Sequence, residues 1–378
     1  MENSSETLLP SPFPGLSERE NVLLARVQEI ADTVLEPRAE SVDQSGIVPA
    51  DNLRSLAEAG LVGVTTPVEW GGQACSGNFQ REFTETLTAA CGTTWFVLTQ
   101  HLGACSMLAG SSNPALREQY LRAMASGDHY VGVGFGHLRR PAPMLRAVPV
   151  DGGWVLNGVA PWVTGWPILK GVIFGAVLPD EESGGQKHLY VYAPATENDR
   201  LRSTPPLPLC AMNATATTEV HLENLFVPQD QFVKYSSRAE MMRGDQNGIA
   251  GPASHIFGCA RGSLKQLRAI AARRSALPAI ARAADSLEAE INACRAECLC
   301  WSQTPDKSIP EYRPQALKAR AWTIELAVRA AHMAVAASGG AANSLEHPAQ
   351  RRFREAMFYT LTAQTADIMG ATLDRVAD

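Results

Sequence analysis

The chain has 378 residues, of which 45% are hydrophobic, and a formal net charge of −6. This length suits two or three packed units, because single hydrophobic cores stop growing near roughly 250–300 residues. The acidic balance, without any run of five basic residues, argues against nucleic acid and anionic membranes as partners.

Targeting signals and special cysteine chemistry are not expected. The most apolar stretch, residues 95–109, is shorter than the span of about 20 residues that crosses a bilayer. The first residues, MENSSETLLPSPFPG, contain neither a basic region nor a continuous apolar run, so we expect a cytoplasmic protein. The eight cysteines are scattered, which predicts neither a disulfide scaffold nor a metal site.

Residues 17–128 are predicted to form a helical domain after a flexible lead over residues 1–16. Ser17-Glu-Arg-Glu20 has the pattern of a capping box, which starts a helix. A second helix is predicted to start after Pro49 and to stop at Gly60. Two further helices are predicted over residues 79–91 and 93–109, and another is predicted to start at Asn113-Pro114.

Residues 129–244 are predicted to form a β-domain. Short apolar runs such as YVGVGF, WVLNG and KHLYVYA alternate with Gly, Pro and Asn. Within WVLNGVAPWVTGWP, Asn157-Gly158 has the residue types of a type I′ turn, which needs positive φ at both central positions. We therefore expect Trp154–Leu156 and Ala160–Thr164 to pair as a hairpin.

Residues 245–378 return to a helical pattern and are predicted to form a four-helix bundle. The order of helices, strands and helices indicates an α+β protein and not alternating βαβ units. The sequence has neither a G-x-G-x-x-G after a strand nor a P-loop motif. The predicted helices cover residues 249–275, 281–301, 311–338 and 348–376.

Four segments, in this order, resemble the acyl-CoA dehydrogenase superfamily. They are LRSLAEAGLVGVTTPVEWGG, WVLNGVAPWVTG, AMNATATTEVHLENLFVP and ASGGAANSLEHPAQRRFREA. The resemblance implies an N-terminal helical domain, a central β-barrel or sandwich domain and a C-terminal four-helix bundle. It also implies FAD as cofactor, an acyl-CoA or related small molecule as substrate, and a homodimer or homotetramer.

The resemblance places the flavin ring against the segment Trp162-Val163-Thr164. Trp162 would form an aromatic wall, and Thr164 would donate a hydrogen bond near N5, where charge builds on hydride transfer. Tyr130 and Val133 align with an aromatic-x-x-Thr flavin contact of the family, in which Val133 replaces the Thr. Trp154 is interpreted as a core residue, and Trp166 as a residue at the pocket mouth.

The resemblance is weaker for the segments that would contact the parts of FAD outside the flavin ring. By resemblance, Arg273, the Gly339-Gly340 loop and Thr365 would contact FAD, with Arg273 reaching the cofactor of a neighbouring subunit. The family's segment that closes on flavin and acyl-CoA is replaced by GFGHLRRPAP, so that Arg139 or Arg140 falls near an expected Ser. We expect rearranged phosphate contacts.

The family's catalytic base is missing from its expected position. Dehydrogenation of an acyl thioester needs a carboxylate that takes the α-proton while the flavin accepts the β-hydride. The family's Glu-Gly-Thr step falls on Ala363-Gln364-Thr365, and the alternative position near Gly248 also lacks a carboxylate. Asp367, one helical turn later, is the nearest substitute.

Three functions therefore stay open at this stage. One is an FAD-dependent oxidoreductase acting on the CH–CH group of an acyl thioester, and another is a flavin-dependent monooxygenase of the same fold. The third is a non-catalytic flavin- or acyl-binding relative. The histidines that such monooxygenases carry fall near Tyr359 and Thr362 here. The residues expected in the substrate pocket are His101, His137, Arg139, Tyr359 and Ala363, where each histidine can equally be structural.

Overall fold

The computed structural model describes residues 15–179 and 186–377. Most of the predicted lead, residues 1–14, lies outside the described residues. Helices come first along the chain, a β-sheet follows, and a second set of helices completes the fold, as the α+β prediction requires. Within the described residues, no helix is both long enough and apolar enough to cross a membrane.

The N-terminal helices begin where the sequence places caps. Ser17 Oγ accepts a hydrogen bond from the Glu20 amide, and the Glu20 carboxylate accepts one from the Ser17 amide, so the capping box is confirmed. Gly60 adopts φ +73° after the third helix, and Asn113 caps the sixth. The helices are α1 (Glu18–Ile30), α2 (Glu36–Gln44), α3 (Ala50–Glu58), α4 (Gly77–Ala90), α5 (Gly92–Ala109) and α6 (Pro114–Ser126), with a π-helical segment, Ala31–Leu35, between α1 and α2.

The described strands form one mainly antiparallel sheet. They are β1 (Val131–Gly134), β2 (Leu145–Val150), β3 (Gly153–Val163), β4 (Gly171–Val177), β5 (Lys187–Pro194), β6 (Leu201–Ser203), β7 (Thr218–Pro228) and β8 (Phe232–Ser237). Their order is β6-β7-β3-β2-β4-β5-β8, and β1 pairs in parallel with β4. The central strand β3 therefore lies between β2 and β7.

The predicted hairpin at Asn157-Gly158 is wrong. Both residues lie inside β3, which continues from Gly153 to Val163 and pairs with β7. Gly158 does adopt φ +127°, but it forms a bulge in the strand, and Asn157 Oδ1 accepts a hydrogen bond from the Asn224 amide. The positive φ that the Asn-Gly pattern indicates is thus used to bend one strand and not to reverse the chain.

The last helices form a C-terminal helical domain, with two differences from the prediction. The first of these helices begins at Arg238, inside the range predicted for the β-domain. The helix predicted over residues 348–376 is broken after Leu361, and Ala363 has φ +51° in the break. Thr365 then accepts a hydrogen bond from the Ile368 amide at the start of the final helix. The helices are α7 (Arg238–Asn247), α8 (Ser254–Arg273), α9 (Pro278–Ser302), α10 (Tyr312–Ser338), α11 (Pro348–Leu361) and α12 (Ala366–Ala377).

A buried charge cluster joins the N-terminal helices to the bundle. Glu82 and Glu85 on α4 face Arg261 on α8 and Arg295 on α9. Arg295 Nη2 lies 2.7 Å from Glu85 Oε2, and at most a tenth of any of these side chains is exposed. Each of these charges is compensated by a partner of opposite sign, as buried ions require.

Candidate functional site

A second bulge lies at the end of β3. Between Ala160 and Val163 the register with β7 shifts, and Trp162 adopts φ +63°. Such a conformation is costly for a residue with a side chain and is often found next to functional sites. As a result the Trp162 indole is 56% exposed, whereas Val163 beside it is completely buried.

Three buried threonine hydroxyls follow this bulge. Thr164 Oγ1 lies 3.0 Å from Thr217 Oγ1, which lies 2.8 Å from Thr215 Oγ1. The Gly165 amide donates to the Thr215 carbonyl at 2.8 Å and fixes the two segments together. Met212 and Ala216 on this segment also have left-handed φ values, of 60° and 46°. Strained backbone is therefore concentrated around the end of β3.

Helix α5 connects this strand end to the bundle. A methyl group added to Gly165 would lie 3.4 Å from Val97 Cγ1, so the two elements are in close contact. At the start of α5, a methyl group on Gly92 would lie 2.4 Å from the Tyr359 hydroxyl and 3.1 Å from Met212 Cε. The N-terminal helices, the β-domain and the bundle thus meet at one junction.

Aromatic rings fill the helical side of this junction. The Trp95 ring on α5 stacks on His255 of α8, with 4.9 Å between centroids and 15° between planes. Tyr359 of α11 contacts both rings, at 6.0 Å from Trp95 and 5.2 Å from His255. The Tyr359 hydroxyl, His255 Nε2 and Glu355 Oε2 are buried and have no hydrogen-bond partner among residues 15–179 and 186–377.

The β-domain side of the junction has a cavity of about 370 Å³. This volume is in the range of small-molecule sites, which are usually roughly 300–1,000 Å³. It is lined by Trp166, Pro167, Ser203, Thr204, Pro205, Pro206, Ala216 and Thr218. Trp166 donates from Nε1 to Glu197 at 2.9 Å, which holds its ring at the mouth.

Two of the five residues expected in the substrate pocket are histidines that serve the fold. His101 Nε2 lies 2.9 Å from the Met124 carbonyl, and its Nδ1 accepts from the Val131 amide. His137 similarly bonds the Gly175 carbonyl and the Met144 amide. Burial lowers the pKa of each to about 4, so both rings are neutral at pH 7. Neither ring has a nitrogen left for a ligand.

Tyr130, Val133 and Arg139 also make internal contacts. The Tyr130 ring packs 4.9 Å from that of His101, and its hydroxyl donates to the Leu53 carbonyl. Val133 is half-buried against the core cluster around β1. Arg139 makes a two-pronged ion pair with Asp245, through Nε at 2.9 Å and Nη2 at 2.8 Å.

Arg273 and the Gly339-Gly340 loop lie together, at the opposite end of α8 from His255. They lie at the C-terminal ends of α8 and α10, where Arg274 donates to the Ser338 carbonyl. A cavity of about 340 Å³ there is lined by Ile270, Arg273, Arg274, Ser338 and His347. Helix α8 has twenty residues and is about 30 Å long, and it separates this cavity from the junction.

The loop between α11 and α12 holds the position expected for the base. Ala363 is exposed there and has no group that accepts a proton. Asp367 Oδ2 is 2.6 Å from Arg313 Nη2, and its side chain is 43% exposed. The substitute base proposed from the sequence is therefore engaged in an ion pair at the surface.

Several junction residues could not be identified from the sequence. His255 and Trp95 lie on different helices, and nothing in the local pattern of either helix indicates that their rings stack. Glu355 lies in the segment RRFREA, for which the resemblance implies no role in the site. The threonines of NATATT, at positions 215, 217 and 218, are a signal for this site in the sequence. Three hydroxyls so close together are unusual for a core.

The order of helices, β-sheet and helices defines the fold class of this protein. The fold is that of butyryl-CoA dehydrogenase from Megasphaera elsdenii, with a TM-score of 0.80 at 17% identity over 96% of this chain and 99% of that chain. The fold is also that of KijD3, solved in complex with FMN and a dTDP-linked amino-keto sugar. The TM-score is 0.75 at 18% identity, and the match covers 96% of this chain and 95% of that chain.

Sequence comparison identifies the family. Models of the acyl-CoA dehydrogenase N-terminal domain and C-terminal domain match residues 17–128 and 248–377. A probable acyl-CoA dehydrogenase, YngJ of Bacillus subtilis (strain 168), is 24% identical over 95% of this chain and 98% of its own length. The chain belongs to the acyl-CoA dehydrogenase superfamily, which confirms the resemblance.

Proposed function

We propose that this chain is an FAD-dependent oxidoreductase that acts on the CH–CH group of a small acyl thioester. The observation that carries the proposal is the bulge at Trp162, which exposes an indole next to the buried Thr164. A strained backbone that presents an aromatic ring at a domain junction has no evident benefit for stability. It fits a flat cofactor that stacks on the indole.

The residues around the bulge fit a flavin in most respects. Trp162 supplies an exposed aromatic face, and the cavity of about 370 Å³ begins at the neighbouring Trp166. Thr164 is held in place by Thr217, so its position is fixed before any ligand binds. A bound flavin would supply the hydride acceptor. Val133 offers no hydrogen bond, and we propose that Thr164 and its neighbours bind the ring without that contact.

A homo-oligomer would complete the site. Arg273 lies at the opposite end of α8 from His255, about 27 Å along the helix axis, and we propose that it and the nearby Gly339 contact the flavin of a neighbouring subunit. A second copy could bring its Arg273 to the cofactor of the first. Helices α11 and α12 offer a surface for this association, since several of their apolar side chains are half or more exposed: Met357, Leu361, Leu373 and Val376.

A flavin-dependent monooxygenase is the second candidate function. It is favoured by the loop between α11 and α12, where Ala363 provides no carboxylate and Asp367 is paired with Arg313. Hydroxylation through reduced flavin and oxygen needs no base for an α-proton. The similarity in fold to KijD3, which was solved with FMN, is compatible with this reaction but does not select it.

Anaerobic reduction tests the proposed reaction. The purified protein is loaded with FAD, freed of oxygen and mixed with short acyl-CoA thioesters, while the flavin absorbance is followed. Bleaching by an acyl-CoA supports the dehydrogenase. Oxygen uptake that requires NADH and a flavin reductase, without anaerobic bleaching, would instead support the monooxygenase. If the protein binds flavin but shows neither reaction, the result would support a non-catalytic flavin- or acyl-binding relative.

A further inference from the structure

We propose that the Tyr359 hydroxyl and His255 Nε2 bind an oxygen atom carried by the acyl part of a short, polar substrate. This inference rests on the proposed function, because it assumes that the substrate is a thioester. It goes further by naming the chemistry of the acyl group. The two side chains, which lie on α11 and α8, contact each other through their rings at 5.2 Å.

Three unpaired polar atoms are brought together by the packing of this cluster, on Tyr359, His255 and Glu355. Tyr359 is completely buried and His255 is 5% exposed, yet neither the hydroxyl nor Nε2 has a partner. Buried polar groups normally have hydrogen bonds, and one that does not calls for an explanation such as a ligand. The buried His101 and His137 have both nitrogens bonded, whereas both nitrogens of the completely buried His188 are unpaired within the described residues.

The start of α5 adds donors beside the same hydroxyl. A methyl group on Gly92 would overlap the Tyr359 hydroxyl at 2.4 Å and approach Glu355 Cδ at 3.1 Å, so both groups lie over this α-carbon. The first amides of a helix have no partner inside the helix, and of those of α5 the Cys91 thiol accepts a hydrogen bond from Thr94. An oxygen acceptor in this position would receive hydrogen bonds from both sources.

The protonation states suit such an acceptor. Burial and the nearby Glu355 carboxylate raise the pKa of Tyr359 well above its usual value, so its hydroxyl keeps the proton and can donate it in a hydrogen bond. Burial and the Arg320 charge lower the pKa of His255 well below its usual value, so its ring is neutral. A neutral imidazole can donate or accept at Nε2 according to its tautomer.

The surrounding rings limit the length of the acyl group. Trp95 stacks on His255, and Phe96 and Phe358, which adjoin Trp95 and Tyr359 in sequence, pack edge to face at 4.9 Å. A long alkyl chain would have to displace these rings and would leave the Tyr359 hydroxyl unpaired. A compact acyl group with an oxygen beyond its thioester satisfies the polar atoms without repacking.

The first test concerns the protein without substrate. Tyr359→Phe removes an unpaired hydroxyl, so the melting temperature should stay the same or rise by about 1–3 °C. Tyr312→Phe is the matched control. That tyrosine is equally buried, but its hydroxyl donates to the Asn247 carbonyl at 2.7 Å, so its loss should lower the melting temperature by a similar amount. A clear decrease for Tyr359→Phe would overturn the inference, because the hydroxyl would then be bonded within the protein.

The second test compares two thioesters of equal chain length. Acetoacetyl-CoA carries the additional oxygen and butyryl-CoA does not. Calorimetric titration measures their binding to the flavin-loaded protein under anaerobic conditions after the flavin has been reduced with dithionite, so that butyryl-CoA cannot be oxidised. We expect acetoacetyl-CoA to bind at least tenfold more tightly, and this preference to fall to about threefold or less in Tyr359→Phe and His255→Phe but to persist in Tyr312→Phe. Equal binding of the two thioesters, or a preference that survives Tyr359→Phe, would overturn the inference.

The flavin content separates this inference from the proposed function. The absorbance of bound flavin is recorded for each variant before the titration. A protein that holds flavin but shows no preference between the thioesters contradicts the polar acyl site alone. A protein that takes up no flavin contradicts the proposed function, whatever its preference between the thioesters.

Discussion

Trp162 and Thr164 are two residues apart, but the first side chain is 56% exposed and the second only 3% exposed. In a regular strand, residues i and i+2 point to the same face. The left-handed φ of Trp162 breaks this rule and turns the indole out of the sheet while the Thr164 hydroxyl stays inside. The proposed flavin site depends on this relationship.

Replacing Trp162 by glycine should separate stability from flavin binding. Glycine relieves the strain at φ +63°, by about 1 kcal/mol, but increases the entropy of the unfolded chain by a similar free energy. The free energy of unfolding, measured in urea, should therefore change by less than about 1 kcal/mol. The affinity for FAD, measured by fluorescence titration, should fall at least tenfold.

Asn224→Gly is the matched control for that variant. Asn224 is exposed with φ +50°, and it lies inside β7 at the bulge opposite Asn157 and Gly158, which is a different bulge from that of Trp162. The change relieves the same kind of backbone strain and should leave the affinity for FAD unaltered. If both glycine variants weaken FAD equally, the indole is not the cofactor contact.

Ala363→Glu should create or increase acyl-CoA dehydrogenation. The position is exposed, so a larger side chain fits, and the resemblance places the α-proton acceptor there. Anaerobic bleaching of the flavin by butyryl-CoA measures the effect. Ala366→Glu, three residues later at the start of α12, is the control and should stay inactive. A variant at 363 that binds FAD and thioester but remains inert would show that this loop does not face the substrate.

His101 should make the protein less stable in acid. Its pKa is about 4 in the folded chain and about 6.5 when unfolded, so the unfolded state binds more protons between these values. Stability is complete above pH 6.5 and is lost as the pH falls towards 4, by up to about 3 kcal/mol for this residue. Unfolding in urea at several pH values measures the slope, which His101→Gln should reduce. An unchanged slope in the variant would contradict the assignment.

Arg295 should be essential to the stability of the bundle. Arg295→Met leaves Glu82 and Glu85 buried with less positive charge, which typically costs about 3–5 kcal/mol. Arg54→Met is the control, because its partner Asp51 is exposed and such pairs contribute at most about 1 kcal/mol. Urea unfolding compares the two. A loss at Arg295 no greater than that at Arg54 would mean that the buried charges are compensated by other groups.

Leu373→Glu should disrupt the proposed oligomer. Leu373 is 63% exposed on α12, and a charge in an apolar interface is strongly unfavourable. Light scattering after gel filtration should show a smaller assembly for this variant than for the wild type. Val68→Glu is the control, since Val68 is 60% exposed but lies among the N-terminal helices. Equal masses for the wild type and Leu373→Glu would place the interface elsewhere.

Local signals predicted most of the fold. Ser17 and Asn113 start helices because each supplies a hydrogen bond to an amide a few residues later, and that chemistry is visible in the sequence. The Asn157-Gly158 prediction failed because positive φ serves a bulge as well as a turn, and only the pairing of β3 with β7 decides between them. A pattern confined to neighbouring residues does not contain that choice.

The site was predictable only in part, for a related reason. The resemblance indicated the segment around Trp162, and the structure adds the strain and the exposure of its indole. The cluster of Trp95, His255 and Tyr359 brings together three helices that are distant in sequence. Its unpaired polar atoms arise from tertiary packing, for which the sequence of each helix gives no signal.

Flavin uptake is the most direct test of the central claim. The wild-type protein is incubated with FAD, freed of excess cofactor by gel filtration, and examined by visible absorbance. We predict about one FAD retained per chain, with an absorption spectrum altered by stacking on the Trp162 indole. A colourless protein, whose addition also leaves the spectrum of free FAD unchanged, would contradict the proposed flavin site.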